Sequence, residues 1–408
     1  MRIATSTMFE AGTTQMSNLQ SKLARTQQQL ATEKRMLTAA DDPIAAARAL
    51  EVTQSKAVNT QFVANRQNAR QSLSEVELSL TRATSIVQDV QELAVKANNG
   101  ILTDADRKSM VKELEGHLDD MLGVANARDG AGSYLFAGFR TTTAPFAKTA
   151  GGADYLGDQG QRQLQVASSR QIPASASGSE VFEKNRTGNG TFVTGANAAN
   201  SGTGVISSGT VSNKAALANT SYEVNFAVSG TPATTTYSVV DKKTGLPPPD
   251  LVGPQPFVPD QQIAFGGVSF HIKGDPAAGD KFSLDPSSNQ SVFKTMTDML
   301  ATLRAPTSTP ADLAKLSNGL SKASENMNAA LDNVLAVRST VGSHQKELDT
   351  LDSAGEDLNI QYETTLSNLQ DLDMVAAITQ FTQQQMSLEA AQKSFKSLSG
   401  LSLFNYIG

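Results

Sequence analysis

The side chains able to do chemistry are few in this sequence. Its three histidines, His117, His271 and His344, are far apart along the chain, which is not the spacing of a histidine metal site. There is no cysteine, so disulfides, thiolate nucleophiles and thiolate metal ligands are excluded together. The carboxylate pairs Asp41-Asp42 and Asp119-Asp120 have the residue type for acid–base work. At a helix start or on a solvated helix face, such carboxylates read instead as caps and surface charge. No Gly-Lys pair occurs anywhere, so there is no phosphate-binding loop of the Walker type. Gly188-Asn189-Gly190 and Gly202-Thr203-Gly204 imitate the opening of a dinucleotide fingerprint, but they stand in a loop-like stretch without a strand-to-helix unit. Asn185-Arg186-Thr187 and Asn189-Gly190-Thr191 match the N-glycosylation pattern, which is short enough to arise by accident. His344 falls on an apolar helix seam and reads as an interior, hydrogen-bonded histidine. The sequence therefore predicts no catalytic residue, no cofactor and no metal. An enzyme is the least favoured class.

Composition narrows the partners. In 408 residues, 34 Lys and Arg stand against 40 Asp and Glu, a net charge of −6, so no basic excess is present to bind nucleic acid. Tryptophan is absent and aromatics make up 5%, which predicts no large core built on aromatic side chains. Residues 1–30 contain no apolar run of signal-peptide length, and Glu10, Lys22 and Arg25 interrupt them. Nowhere do eighteen apolar residues follow one another, so no membrane insertion is expected.

The elements that must do the positioning show in the punctuation. Residues 1–140 hold seven glycines, 141–285 hold eighteen and 286–408 hold five; only Pro43 precedes Pro145, and none follows Pro310. The two flanks are thus free to form long helices, while the middle must turn often. Within the middle, 222–228 and 268–272 alternate apolar and polar residues as half-buried strands do. The stretch 185–215, rich in Gly, Asn, Ser, Thr and Ala, reads as a mobile loop.

The flanks carry the strongest pattern. Positions 69, 73, 76, 80, 83, 87, 90, 94 and 97 are all apolar and step by four and three, the spacing of a coiled-coil seam. A second run steps from Leu313 to Leu372; fifteen of its eighteen positions are apolar, the exceptions being His344, Gly355 and Thr365. A helix of that span reaches about 90 Å. Met16, Leu19, Leu23 and Leu30 continue the theme at the N-terminus. Ile378, Phe381, Leu388, Ala391, Phe395 and Leu398 line one face of a C-terminal helix. Neither end has a local partner, so each is expected to pair with the other. The tail containing Leu401, Leu403, Phe404, Tyr406 and Ile407 is apolar and uncharged, and needs another subunit or a chaperone to cover it. Asp42 before Pro43 reads as a helix N-cap, and Thr103 with Asp106 as a capping box opening a further helix.

These readings give an α+β protein, a long antiparallel helical coiled-coil rod built from both chain ends with an inserted β-rich outer domain. The expected limits are 1–42 and 373–408 for terminal inner-tube helices, 43–140 and 286–372 for the helical rod, and 141–285 for the β-rich domain.

Several segments resemble the flagellin superfamily of bacterial axial proteins. Residues 30–43, Leu-Ala-Thr-Glu-Lys-Arg-Met-Leu-Thr-Ala-Ala-Asp-Asp-Pro, are similar to the family's N-terminal signature, and Glu92-Leu93-Ala94-Val95-Lys96-Ala97-Asn98-Asn99-Gly100 is shared across it. Tyr134-Leu135-Phe136-Ala137-Gly138 with Pro145-Phe146, residues 274–282 and the tail 401–407 look like its hook–filament junction branch. Ala31-Thr32-Glu33 stands where flagellins usually have Ser-Ser-Gly, which weakens the filament reading. The resemblance covers both flanks and stops at about 148–262.

What the resemblance implies is a structural adaptor of the bacterial flagellum, extracellular and exported through the flagellar type III apparatus without a cleaved signal peptide. Its implied partners are other copies of itself in a helical layer, a neighbouring hook-associated protein, flagellin, and an export chaperone at the C-terminal tail. The assembly interface would be Met16, Leu19, Leu23, Leu30, Ile378, Phe381, Leu388, Phe395, Leu401, Leu403, Phe404, Tyr406 and Ile407. The alternatives are a filament-forming flagellin subunit and a secreted adhesin carried on a helical stalk.

Overall fold

The computed structural model describes residues 5–99, 102–217 and 220–400, excepting the side chains of 5, 6 and 398–400. The tail residues Leu401, Leu403, Phe404, Tyr406 and Ile407 lie outside the described residues. Among the described residues six helices carry the flanks: α1 (Thr5–Thr32), α2 (Pro43–Ala97), α3 (Asp104–Ala125), α4 (Val292–Arg304), α5 (Pro310–Gln370) and α6 (Met374–Gly400). The chain forms two compact units, Met1–Ala64 with Thr350–Gly408, and Asn65–Asp349. Helices α2 and α5 each contribute residues to both.

In the larger unit, all nine predicted α2 seam positions are buried, from Ala69 to Ala97. Their four–three spacing keeps one face of the helix inward throughout. Facing residues of α5 pair antiparallel with it: Gln91 donates to Asn328 at 2.8 Å, and Arg338 meets Glu77 at 2.7 Å. The α5 seam is buried at Leu316, Leu320, Ala323, Met327, Ala330, Val334, Val341 and Leu348. Two positions of the predicted run turn outward. Leu313, one turn into the helix, is 47% exposed and Leu358 is 42% exposed. Gly355 is buried, and the predicted positions Tyr362, Thr365, Leu369 and Leu372 beyond it are half-buried, so the predicted spacing resumes past Leu358. Helix α3 opens on the expected capping box, with Thr103 and Asp106 each bonding the other's main-chain N–H.

The middle of the chain supplies the strands. Hairpins β1 (Phe146–Thr149)–β2 (Gly152–Tyr155) and β3 (Gln163–Ala167)–β4 (Arg170–Pro173) come first. Then follow β5 (Asn185–Arg186), β6 (Phe192–Ala196), β7 (Val205–Ile206), β8 (Thr210–Val211), β9 (Tyr222–Ser229) and β10 (Thr234–Asp241). The last are β11 (Gln255–Pro256), β12 (Gln262–Phe265), β13 (Val268–Lys273), β14 (Lys281–Pro286) and β15 (Asn289–Gln290). An antiparallel sheet ordered β11-β10-β9-β14-β6 and a second built on β12-β13-β7, with β8 also on β13, share one apolar core. Alternation does the sorting: Tyr222, Val224 and Phe226 of β9 point inward, as do Val268, Phe270 and Ile272 of β13.

Two expectations fail here. The 185–215 stretch carries strands β5 to β8, because Phe192, Thr194 and Ile206 are buried and asparagine side chains satisfy the turns between them. Asn189 Oδ1, for example, accepts from the N–H groups of Thr191 and Phe192. An aromatic core also exists. Eleven of the sixteen phenylalanines fall between Phe136 and Phe293, and a composition averaged over the long flanks conceals that density. Phe136, Phe146, Phe182 and Phe293 form a second cluster, with ring centroids 5.1–6.0 Å apart.

Asparagines on α5 fasten this region to the helix. Asn318 accepts from Ile206 N–H and donates to Gly204 C=O; Asn326 accepts from Gly188 N–H; Asn333 donates to the carbonyls of Glu180 and Val181. Their spacing of eight and seven residues keeps them on one side of the helix. Hairpin β3–β4 is held similarly, with Asn65 and Arg66 of α2 donating to Gln165 and Val166 carbonyls and Arg170 paired to Glu347. The buried Asp280 carboxylate accepts from Ser201, Gly202 and Ala277 N–H groups, which ties the 274–280 turn to the 200–204 loop. Gly202 is required there, since a Cβ would sit 2.5 Å from Asp280 Oδ2.

Candidate functional site

Helices α1 and α6 of the smaller unit pair with each other. On α1 a seam of half-buried or buried positions runs through Gly12, Met16, Leu19, Leu23, Thr26 and Leu30, with Gln29 half-buried beside it; that of α6 runs through Ala377, Phe381, Gln384, Leu388, Ala391 and Phe395. Both series step by four and three, so each helix offers a single seam. Gly12 makes room for Phe395, whose ring would lie 2.9 Å from any Cβ there, and Phe9 packs on the same ring at 4.8 Å between centroids. At the other end, Thr26 donates to Gln384 Oε1 at 2.9 Å. As residue numbers rise on α1 they fall on α6, so the pair is antiparallel.

Of the sequence-predicted interface, Met16, Leu19, Leu23, Leu30, Phe381, Leu388 and Phe395 are half-buried on this seam. Ile378 is 53% exposed, one residue past the seam position that Ala377 occupies. Sequence reasoning missed Gly12, Thr26, Gln384 and Ala377, since an apolar count passes over them; the four–three spacing itself could have found them.

The connectors beside this pair are bonded as well. Arg35 N–H donates to Gln370 C=O and Leu372 N–H to Glu33 C=O, and Lys34 lies 3.3 Å from Asp371. Asp41 Oδ2 accepts from Leu37 and Thr38 N–H groups, and Arg25 lies 2.5 Å from Asp41 Oδ1. Asp42 Oδ1 accepts from Ala45 N–H at 3.0 Å and caps α2 as predicted. Bonds from the main chain, at Thr38 for Asp41 and at Ala45 for Asp42, hold both carboxyls below the ordinary aspartate range. These are structural carboxylates. Among the described residues no cluster of three His, Asp or Glu side chains is placed to hold a metal ion, and no helix is long and apolar enough to cross a membrane.

The outer surface of this unit stays apolar in places. Met8, Phe9, Val375, Ile378 and Met386 of the helix pair are 53–78% exposed, and Ile44 and Leu50 of α2 are 72% and 70% exposed. A helix pair with one seam and further apolar side chains outside it has surface left to bury.

Comparison with known proteins decides the family. Residues 3–141 match the bacterial flagellin N-terminal helical region. Over 405 residues the chain is 28% identical to flagellar hook-associated protein 3 of Salmonella typhimurium, with 99% of each covered. The crystal structure of Xanthomonas campestris FlgL matches with a TM-score of 0.71 and 33% identity, over 78% of this chain and 99% of that one. The chain belongs to the flagellar hook-associated protein 3 (FlgL) family. The flagellar junction protein FlgL from Legionella pneumophila has the same fold, with a TM-score of 0.72 at 28% identity, over 79% of this chain and all of that one.

As a FlgL-family chain, the protein makes physical sense of the segments on which the resemblance rests. The Asp41-Asp42 ending of the N-terminal signature closes one turn and caps α2. Leu135, Phe136, Ala137 and Phe146 are all at most 2% exposed, and Phe136 and Phe146 belong to the second aromatic cluster. The glycosylation-like Asn185 is 3% exposed and bonds to Phe182 C=O and Asn333, so it is an interior residue of this FlgL-type fold.

Proposed function

We propose that this chain is the junction subunit of a bacterial flagellum, joining another hook-associated protein on the hook side to flagellin on the filament side. The observation that carries this reading beyond family membership is the α1–α6 pair: two helices share one seam and leave Met8, Val375, Ile378 and Met386 exposed. Apolar side chains on a helix pair are covered by further copies in a helical layer, a heterologous contact that propagates instead of closing. The terminal helices form the inner layer, and the tail 401–407 is the segment an export chaperone would shield until assembly. The protein's role is structural, and it works outside the cell.

Electron microscopy of the purified protein under salting-out conditions tests this, since such salts strengthen apolar association. The expected result is no long filament from this protein alone. Long regular filaments would overturn the reading in favour of a flagellin. In a bacterium lacking its own junction protein, the natural chain should restore filaments, while Val375→Asp with Ile378→Asp should be exported without restoring them.

A further inference from the structure

Strand β6 has a free edge. Asn197 N–H donates to Lys281 C=O and Ser287 N–H to Thr191 C=O. Hydrogen-bonding groups alternate along an antiparallel pair, so Thr191, Val193, Gly195 and Asn197 face β14. Thr194 and Ala196 therefore turn their N–H and C=O groups away from it. Pro286, which has no N–H to give, stands opposite Phe192 in that same outward-facing set. Phe192 closes its outward groups locally, its N–H on Asn189 Oδ1 and its C=O on Asn189 N–H. Among the described residues, no hydrogen bond engages the outward main-chain groups of Thr194 or Ala196.

A cleft of about 360 Å³ runs along this edge, walled by α4 and α5. Thr194, Gly195 and Ala196 of β6 line it, and Gly195, Ala196, Ala301, Ala305 and Gly319 give it small side chains. Lys315 and Lys322 line it too, with Glu325 beside them. The two lysines outnumber this one carboxylate, whose pKa burial pushes up from its ordinary value against the pull of Lys322. Unpaired strand N–H and C=O groups at alternate residues are matched by an extended polypeptide, which adds as a further strand.

We propose that the β6 edge and its cleft bind an extended acidic segment of another protein. The segment pairs with the main chain of Thr194 and Ala196, and its carboxylates meet Lys315 and Lys322. Fluorescence anisotropy with the full chain tests this, using a short end-capped peptide of alternating valine and glutamate and its valine–lysine counterpart. The acidic peptide should bind saturably, with about tenfold preference over the basic one at low salt and less at high salt. Ala196→Pro removes an outward N–H without breaking a bond to β14, and should weaken binding about tenfold. Lys315→Glu with Lys322→Glu, on the helix wall, should reverse the preference for the acidic peptide. Absence of saturable binding, or equal binding by the natural chain and both variants, would overturn the proposal. A concentration-dependent dimer that Ala196→Pro dissolves would also overturn it, by assigning the edge to a second copy of this chain.

Discussion

Thr26 and Gln384, 358 positions apart in sequence, meet at 2.9 Å on the seam between α1 and α6. Thr26 is 4% exposed, and its hydroxyl also lies 3.1 Å from Lys22 C=O. Every neighbour on that seam is apolar or small, so this polar pair costs some burial energy and in return marks one alignment of the two helices. A single buried polar pair has that effect in coiled coils because any slip leaves both groups unpaired.

Replacing the pair by Thr26→Val with Gln384→Leu should therefore stabilise the helix pair slightly, by about 1 kcal/mol, while loosening its register. Because the chain has no cysteine, introduced ones report the register cleanly. Leu19→Cys should crosslink to Leu388→Cys and not to Phe395→Cys in the natural background. Both crosslinks should form once the polar pair is gone. An unchanged crosslinking pattern would show that packing alone sets the register.

The carboxyls of Asp41 and Asp42 predict an acid-sensitive connector. Their pKa values are lowered in the folded chain, so their stabilising bonds are fully present above the ordinary aspartate range and are lost as pH falls through the lowered folded values. Protection from amide exchange at Leu37, Thr38 and Ala45 should therefore decline below about pH 4. Asp42→Asn keeps the capping oxygen, so protection at Ala45 should persist and lose its pH dependence. Protection at Ala45 that falls equally in both proteins would rule out the carboxylate as its source.

How much of this was legible in the sequence depends on what each residue does. The nine α2 seam positions could be read directly because each is apolar and each is buried. The α1–α6 seam was half legible: its leucines and phenylalanines stand out, whereas Gly12 is there for its lack of a side chain and Gln384 for one specific bond. Strands β5 to β8 went unread because they are two to five residues long, too short to display alternation. The asparagines of α5 look like solvated polar residues in a linear sequence. Only the fold brings Gly188 and Ile206 to them.

Two leucines two residues apart test the seam reading. Leu80 is fully buried on α2, and Leu78 is 54% exposed. Leu80→Ala should cost about 2–5 kcal/mol by lost burial and the cavity it leaves. Leu78→Ala should stay within about 0.5 kcal/mol. Denaturant unfolding followed by circular dichroism measures both. A large loss at Leu78 in the purified monomer would mean that the exposed face is covered within the subunit.

The asparagine contacts separate burial from hydrogen bonding. Asn326 is 4% exposed and its Oδ1 is the acceptor for Gly188 N–H at 2.9 Å. Asn326→Ala leaves that N–H buried without a partner, which costs about 1–3 kcal/mol. Asn326→Asp retains an acceptor for Gly188 but buries a charge, so its deficit should shrink as pH falls and the carboxyl becomes neutral. Asn333, half-buried, donates to the Glu180 and Val181 carbonyls, and water can replace part of what Asn333→Ala removes. Its loss should be about 0.5–1.5 kcal/mol. Tyrosine fluorescence follows unfolding of the strand region, with Tyr222 and Tyr237 as its reporters. An Asn326→Ala protein as stable as the natural chain would mean that Gly188 finds another acceptor, and the fastening of the strands to α5 would then rest on apolar contacts alone.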